Sequence, residues 1–153
     1  GLGDVYKRQA PDYYPDAEGC FYGASLSSTR GDFALAVMRG VAFQIRIMLE
    51  AMGAYPEVTQ LVLFGGGARS PLWCQCISDA AGVRVHVPSS SEAAGRGAAV
   101  LAGAAAGAWT KEAFPKDTGW NVYFPSNALQ DCYRRYREIE RRLWTREAVC
   151  STS

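Results

Sequence analysis

Apolar residues recur at steps of three and four between residues 33 and 52. Val37, Val41, Ile45, Met48 and Met52 form one stripe, the pattern of an amphipathic helix. Polar residues at 27–32 suit its start, and Gly53 suits its stop. Residues 58–64 end in the unbroken block Leu61, Val62, Leu63, Phe64, which predicts a short strand covered on both faces. Gly65, Gly66 and Gly67 follow at once. Ser70 is a good N-cap and Pro71 fits the first helical position, so a helix is predicted to Ala81, with Gly82 as its stop. Val83, Val85 and Val87 alternate with Arg84 and His86, a strand with two unlike faces. Pro88 and the serines at 89–91 read as a turn.

Residues 92–106 form an Ala- and Gly-rich helix. Gly95, Gly97 and Gly103 each cost such a helix about 1 kcal/mol relative to Ala. That composition makes sense where a backbone approaches something closely, either the sheet or a bound nucleotide. Residues 107–122 read as a connector. A last helix spans 126–144, with Leu129, Tyr133, Tyr136, Ile139 and Leu143 inward and its arginines and glutamates on a solvated face. Residues 11–19 read as loop, and 20–25 are apolar enough for a further strand. Strands that alternate with helices imply an α/β layer with a parallel sheet.

Composition narrows this little. Hydrophobic residues make up 48% and charged residues 20%, with a formal net charge of +1. No global field favours nucleic acid or an anionic membrane, and the arginines of the last helix are offset by Glu138 and Glu140. No apolar run approaches the roughly 18 residues of a membrane span, and no leader pattern is present, so the expected compartment is the cytoplasm. The five cysteines, Cys20, Cys74, Cys76, Cys132 and Cys150, are odd in number and irregular in spacing, which is no disulfide framework. Cys74 and Cys76 read as buried reduced thiols rather than a zinc pair. His86 stands alone in a strand and is a poor ligand or base. The first nine residues, GLGDVYKRQ, join abruptly to Ala10 and resemble a translated adapter, so they are set apart. The expected domain then runs over 10–144, with a tail at 145–153.

The segment that carries chemistry is the strand running into Gly65, Gly66 and Gly67 and then into a helix capped by Ser70. Glycines there let a ligand reach the backbone with no Cβ in the way. The free N–H groups of a helix start favour polar or anionic groups, and ligands of open α/β sheets bind beyond the carboxyl ends of strands. A nucleotide is the natural candidate, although the same glycines also suit a plain tight turn. This is no Walker A loop, since the Lys-Ser/Thr pair is missing. It is no dinucleotide fingerprint either, because the third glycine of that pattern would fall at Ser70, and Val87-Pro88 stands where an acidic residue is needed.

The stretch FGGGARSPLWCQCISDAAGVRVHVPSSSEAAGRGAAVLAGAAAGAW, residues 64–109, resembles the C-terminal domain of the FGGY carbohydrate kinases. It is most similar to their xylulokinase-like branch. The likeness rests on GGGA-R-S-x-x-W, then Asp79, a Gly-Val turn at Gly82, Glu92, and Gly97-Ala98-Ala99. The preceding helix also fits, with Leu35 and Arg39 where Arg and Glu are usual. The resemblance covers residues 18–144. It implies part of an actin-like ATPase (ribonuclease H-like) fold, here with an incomplete sheet flanked by helices. It implies ATP with magnesium in a cleft, and transfer of a phosphoryl group to a sugar hydroxyl, with a ketose such as xylulose as the expected acceptor. Gly66, Gly67 and Ser70 would flank adenine and ribose, Gly65 and Ala68 would shape the turn, and Gly97 and Ala98 would pack beneath the nucleotide. Arg69 would lie nearby or face solvent, while Asp79 and Glu92 would serve as helix and sheet support. The family's sugar site, general-base aspartate, phosphate-gripping hairpin and metal ligands belong upstream, so this chain is expected to hold no catalytic and no metal residue and to be inactive alone. A homodimer is compatible with the family. Two alternatives remain: a non-catalytic actin-like nucleotide-binding module, and a piece of a dinucleotide-binding oxidoreductase.

Overall fold

The computed structural model describes residues 19–53, 55–89, 92–108, 110 and 119–150, with side chains to 142. The expectations for 1–9, 10–18, most of the connector, the side chain of Leu143 and the end of the tail lie outside the described residues. Helix α1 (Arg30–Ala51) is followed by strand β1 (Gln60–Val62), a 3-10 turn (Gly66–Arg69), helix α2 (Pro71–Ala81) and strand β2 (Arg84–Pro88). Helix α3 (Ala93–Ala105), strand β3 (Trp120–Tyr123) and helix α4 (Gln130–Cys150) complete the order. Helix α4 thus runs past the expected domain end at 144.

The helix ends follow their local signals. Thr29 caps α1, with its side chain accepting from the Asp32 backbone N–H while Asp32 accepts from the Thr29 N–H at 2.8 Å. Gly53 and Gly82 take φ of 66° and 69° just past α1 and α2, a left-handed conformation that glycine adopts without strain. Residues 20–25, by contrast, form no strand.

The sheet order is β1-β2-β3. Strands β1 and β2 are parallel, with Leu61 opposite Val85, as the alternation of strands and helices predicts. Strand β3 pairs antiparallel with β2, Val85 opposite Tyr123, and overlaps the end of the segment expected to be a connector. The outer edge of β1 carries no strand among the described residues.

The core lies between this sheet and the layer of α1, α2 and α4, around Ala42, Phe43, Ile47, Cys74, Ile77, Ala80, Val85, Leu129 and Tyr133. Within α1 the expected stripe is displaced. Val37, Val41 and Met52 are exposed, whereas Ala42 and Leu49 are buried and Met38 and Ile45 pack on the core. One residue along a helix is a turn of about 100°. Helix α1 packs mainly on α2, and Ala42 and Ala80 are both at 0% exposure. These small side chains belong to the core that the two helices share, and a stripe chosen for bulky residues passes over them.

Strand β1 is covered on one face only by the described residues. Leu61 and Leu63 pack on the core, but Val62 and Phe64 are exposed. Strand β2 follows its alternation, with Val83, Val85 and Val87 buried and Arg84 exposed. Leu129, just before α4, and Tyr133 within it are buried, as expected. The charged face of α4 is not wholly solvated, for Glu140 is 8% exposed and pairs with Arg137 at 2.7 Å. Helix α3 is not tightly packed on the sheet: Gly95 and Gly97 are exposed, with nothing within 4 Å of an added Cβ, and only Gly103 is buried.

Candidate functional site

Beyond β1, Leu63 still donates its N–H to the His86 carbonyl at 2.9 Å, so the sheet register continues to the edge of the glycines. Gly65 then takes φ 85° and ψ −170°, a conformation open essentially only to glycine. It turns the chain out of the strand direction. The segment is no open loop but a 3-10 turn, closed by Ala68 N–H to Gly65 C=O and Ser70 N–H to Gly67 C=O, both at 3.1 Å. The N–H groups of Gly66 and Gly67 have no acceptor among the described residues, as expected of the first donors of such a turn.

Each predicted site residue has a distinct place. Gly65, Gly66 and Gly67 are exposed at the carboxyl end of β1, and an added Cβ at Gly66 would meet nothing within 4 Å. Ala68 is buried, 7% exposed, and its carbonyl accepts from Cys74 Sγ at 3.4 Å. Ala68 therefore anchors the turn and offers a ligand no side chain. Ser70 is the N-cap of α2, and its hydroxyl oxygen accepts from the Trp73 N–H at 3.3 Å. An added Cβ at Gly67 would lie 3.2 Å from Trp73 Cδ1 and Nε1, so the indole lies directly against this glycine. Arg69 is exposed and reaches Glu92, at the start of α3, at 3.8 Å. That ion pair joins the turn to the next helix and has too much water around it to stabilise the fold appreciably.

Other singled-out residues serve the framework. Asp79 accepts from Gln75 Nε2 at 2.9 Å and from the Ser126 N–H at 2.7 Å, fixing the segment between β3 and α4 to α2. Gly97 and Ala98 are exposed, so the expected close packing around them is not made with described residues. Cys74 and Cys76 are buried free thiols, and burial pushes both above the ordinary thiol range. His86 sits on the outer face of β2 beside the Trp120 ring, 6.2 Å between centroids, and its Nε2 is buried without a hydrogen-bond partner among the described residues. No group of three or more His, Cys, Asp or Glu residues stands together among the described residues. The described part therefore has no carboxylate set for magnesium, and no chemistry is routed through that ion here. No described helix is long and apolar enough to cross a membrane.

A strand that ends in a glycine turn and feeds a capped helix, on a mixed sheet backed by helices, belongs to the actin-like ATPase class of α/β folds. Comparison makes this specific. The sequence model of the FGGY family of carbohydrate kinases, C-terminal domain, matches residues 2–106, a span that begins inside the segment set apart above and ends before β3. The chain is 35% identical over 136 residues to a glycerol kinase of Saccharopolyspora erythraea, covering 84% of this chain and 27% of that one. It is 33% identical over 128 residues to a xylulose kinase of Staphylococcus epidermidis, covering 79% and 25%. Among solved structures, a xylulose kinase from Brucella ovis superposes with a TM-score of 0.71 at 31% identity, over 86% of this chain and 29% of that one. A Plasmodium falciparum glycerol kinase solved with ADP shares the fold, with a TM-score of 0.67 at 21% identity, over 90% and 28%. The chain belongs to the FGGY carbohydrate kinase family, as its C-terminal domain. It spans about a quarter of the length of the curated relatives it matches.

Sequence reasoning overlooked three features here: the seat of Trp73 on Gly67, strand β3, and a polar joint between α1 and α4 in which Tyr133 donates to Glu50 beneath Arg46. Only the first left a signal, since Trp73 closes the motif that begins at Gly65.

Proposed function

We propose that this chain forms the adenine-nucleotide wall of an ATP-dependent carbohydrate kinase, with the glycine turn as the contact surface. The observation that carries this reading is the open space above Gly66, at the carboxyl end of β1, beside N–H groups with no acceptor among the described residues. Gly66 and Gly67 line the space for base and ribose, Gly65 and Ala68 hold the shape of the turn, and Ser70 fixes the helix start behind it. Bound ATP supplies the phosphoryl group. The acceptor we propose is a hydroxyl of a small sugar or polyol, with xylulose the first to test, because relatives at 31% and 33% identity carry that name.

The phosphoryl transfer itself we assign to residues outside this chain. Such transfer rests on positioning and charge stabilisation around phosphates and metal, and the described residues offer a base-binding wall instead. Sugar-dependent ADP release by the purified chain, above a no-protein control, would overturn that assignment. The nucleotide reading is tested by titrating ADP into the 15N-labelled chain. The amides of Gly65, Gly66 and Gly67 should shift in a saturable manner, and their indifference to millimolar ADP would remove the turn from any nucleotide site.

A further inference from the structure

We infer that Trp73 is a positioning residue for the nucleotide, acting through Gly67 from the protein side of the turn; the inference rests on the nucleotide reading above. Three successive glycines form a backbone with unusual freedom, and fixing each residue costs about 1–2 kcal/mol of conformational entropy. A ligand that must order the turn itself binds more weakly than one that meets it already ordered. The turn is ordered from beneath by two adjacent residues of α2. Cys74 Sγ donates to the Ala68 carbonyl, and the Trp73 ring stands where a Cβ on Gly67 would meet it at 3.2 Å. Trp73 has little freedom to retreat. Its backbone N–H is held by the Ser70 hydroxyl, and its partly buried ring packs against the core. The indole thus presses on one side of Gly67, while Gly66 beside it faces open space. The absence of a side chain at Gly67 thus also makes room for the tryptophan.

The test is ADP affinity of the folded chain by calorimetry, with the glycine amides as the spectroscopic signature. Trp73→Leu should weaken ADP about tenfold and broaden or move the Gly66 and Gly67 amides before ligand is added, and Trp73→Phe should restore most of the affinity. A purely structural tryptophan would lower the melting temperature and leave the affinity of the folded fraction unchanged, which would overturn the inference. Should Trp73→Leu fail to fold, the cycle of Gly67→Ala with Trp73→Phe decides. Coupled residues in contact give non-additive changes, so coupling of about threefold or more is expected, and strictly additive changes would overturn the proposal. Failure of the unmutated chain to bind ADP removes the nucleotide reading and this inference together. Tight binding by the unmutated chain and by Trp73→Leu alike removes this inference alone.

Discussion

The Tyr133 hydroxyl of α4 donates a 2.7 Å hydrogen bond to the Glu50 carboxylate of α1. Arg46, one turn before Glu50, bonds the same carboxylate at 3.0 Å and lies 4.1 Å over the Tyr133 ring. It also donates to Gln130 Oε1 at 2.6 Å and to the Ala80 carbonyl at 3.3 Å. One cation therefore joins α1, α4 and the end of α2, the helix that carries the glycine turn.

Removing the hydroxyl should loosen this joint. Tyr133→Phe keeps the ring but leaves Glu50 one donor short, so urea unfolding should show a loss of about 1–3 kcal/mol. Burial first, and the bond to Glu50 second, push the Tyr133 phenol above its ordinary range. The folded chain then keeps a proton that the unfolded chain releases near pH ~10, so this contribution is full below that pH and is lost as pH rises through the raised value. The stability gap between the unmutated chain and Tyr133→Phe should narrow above about pH 10. A gap that stays constant into strongly alkaline solution would contradict the assignment.

The neighbouring glycines should separate folding from binding. Gly65→Ala forces an L residue to φ 85° and should lower stability by about 1–3 kcal/mol. The Cβ of Gly66→Val would meet nothing within 4 Å beyond its chain neighbours. The stability of this variant should stay within about 0.5 kcal/mol of the unmutated chain, while ADP binding is lost. Thermal melts beside calorimetry check both, and retained ADP affinity in Gly66→Val would place the nucleotide elsewhere.

Ser78 is at 0% exposure, and its hydroxyl is shared between the carbonyls of Val83 at 2.7 Å and Tyr123 at 3.1 Å. Ser78→Ala leaves these buried acceptors without that donor and should cost about 1–3 kcal/mol. Amide exchange should show the loss as faster opening of β3. A variant with unchanged exchange along Trp120–Tyr123 would mean the hydroxyl does not hold that strand.

Strand β1 carries no partner on its outer edge among the described residues, and Val62 and Phe64 are exposed on its uncovered face. Such an edge templates pairing with another chain. The chain alone should self-associate on warming, and Val62→Lys should delay turbidity without lowering the melting temperature. Light scattering during a thermal ramp checks this, and an unmutated chain that stays monomeric through a sharp melt would show the edge to be protected.

The elements were legible wherever the signal is local. Thr29 with Asp32, Ser70 with Pro71, and the glycines after α1 and α2 mark helix ends within one turn of chain. The alternation of Val83, Val85 and Val87 marks a strand with one buried face. The glycine turn was legible as a candidate site because its requirement, a backbone free of side chains beside a helix start, is itself local. The ordered motif from Gly65 through Trp73 to Glu92 was enough to indicate the family.

What only the tertiary structure decided depends on partners distant in sequence. The inward face of α1 passes through Ala42 because α1 packs on α2, and hydrophobicity along α1 carries no record of that packing. Trp120–Tyr123 is a strand because β2 offers it a ladder, and Val62 is exposed because no described element covers that face. Glu140 is buried because α1 brings Gln44 within 3.4 Å and Arg137 neutralises its charge, so a residue that reads as solvated surface becomes part of the helix interface. Trp73 appears in the sequence as one letter of a motif. Its work is visible only where the turn folds back onto α2, since a contact between a ring and the missing side chain of Gly67 exists in space alone.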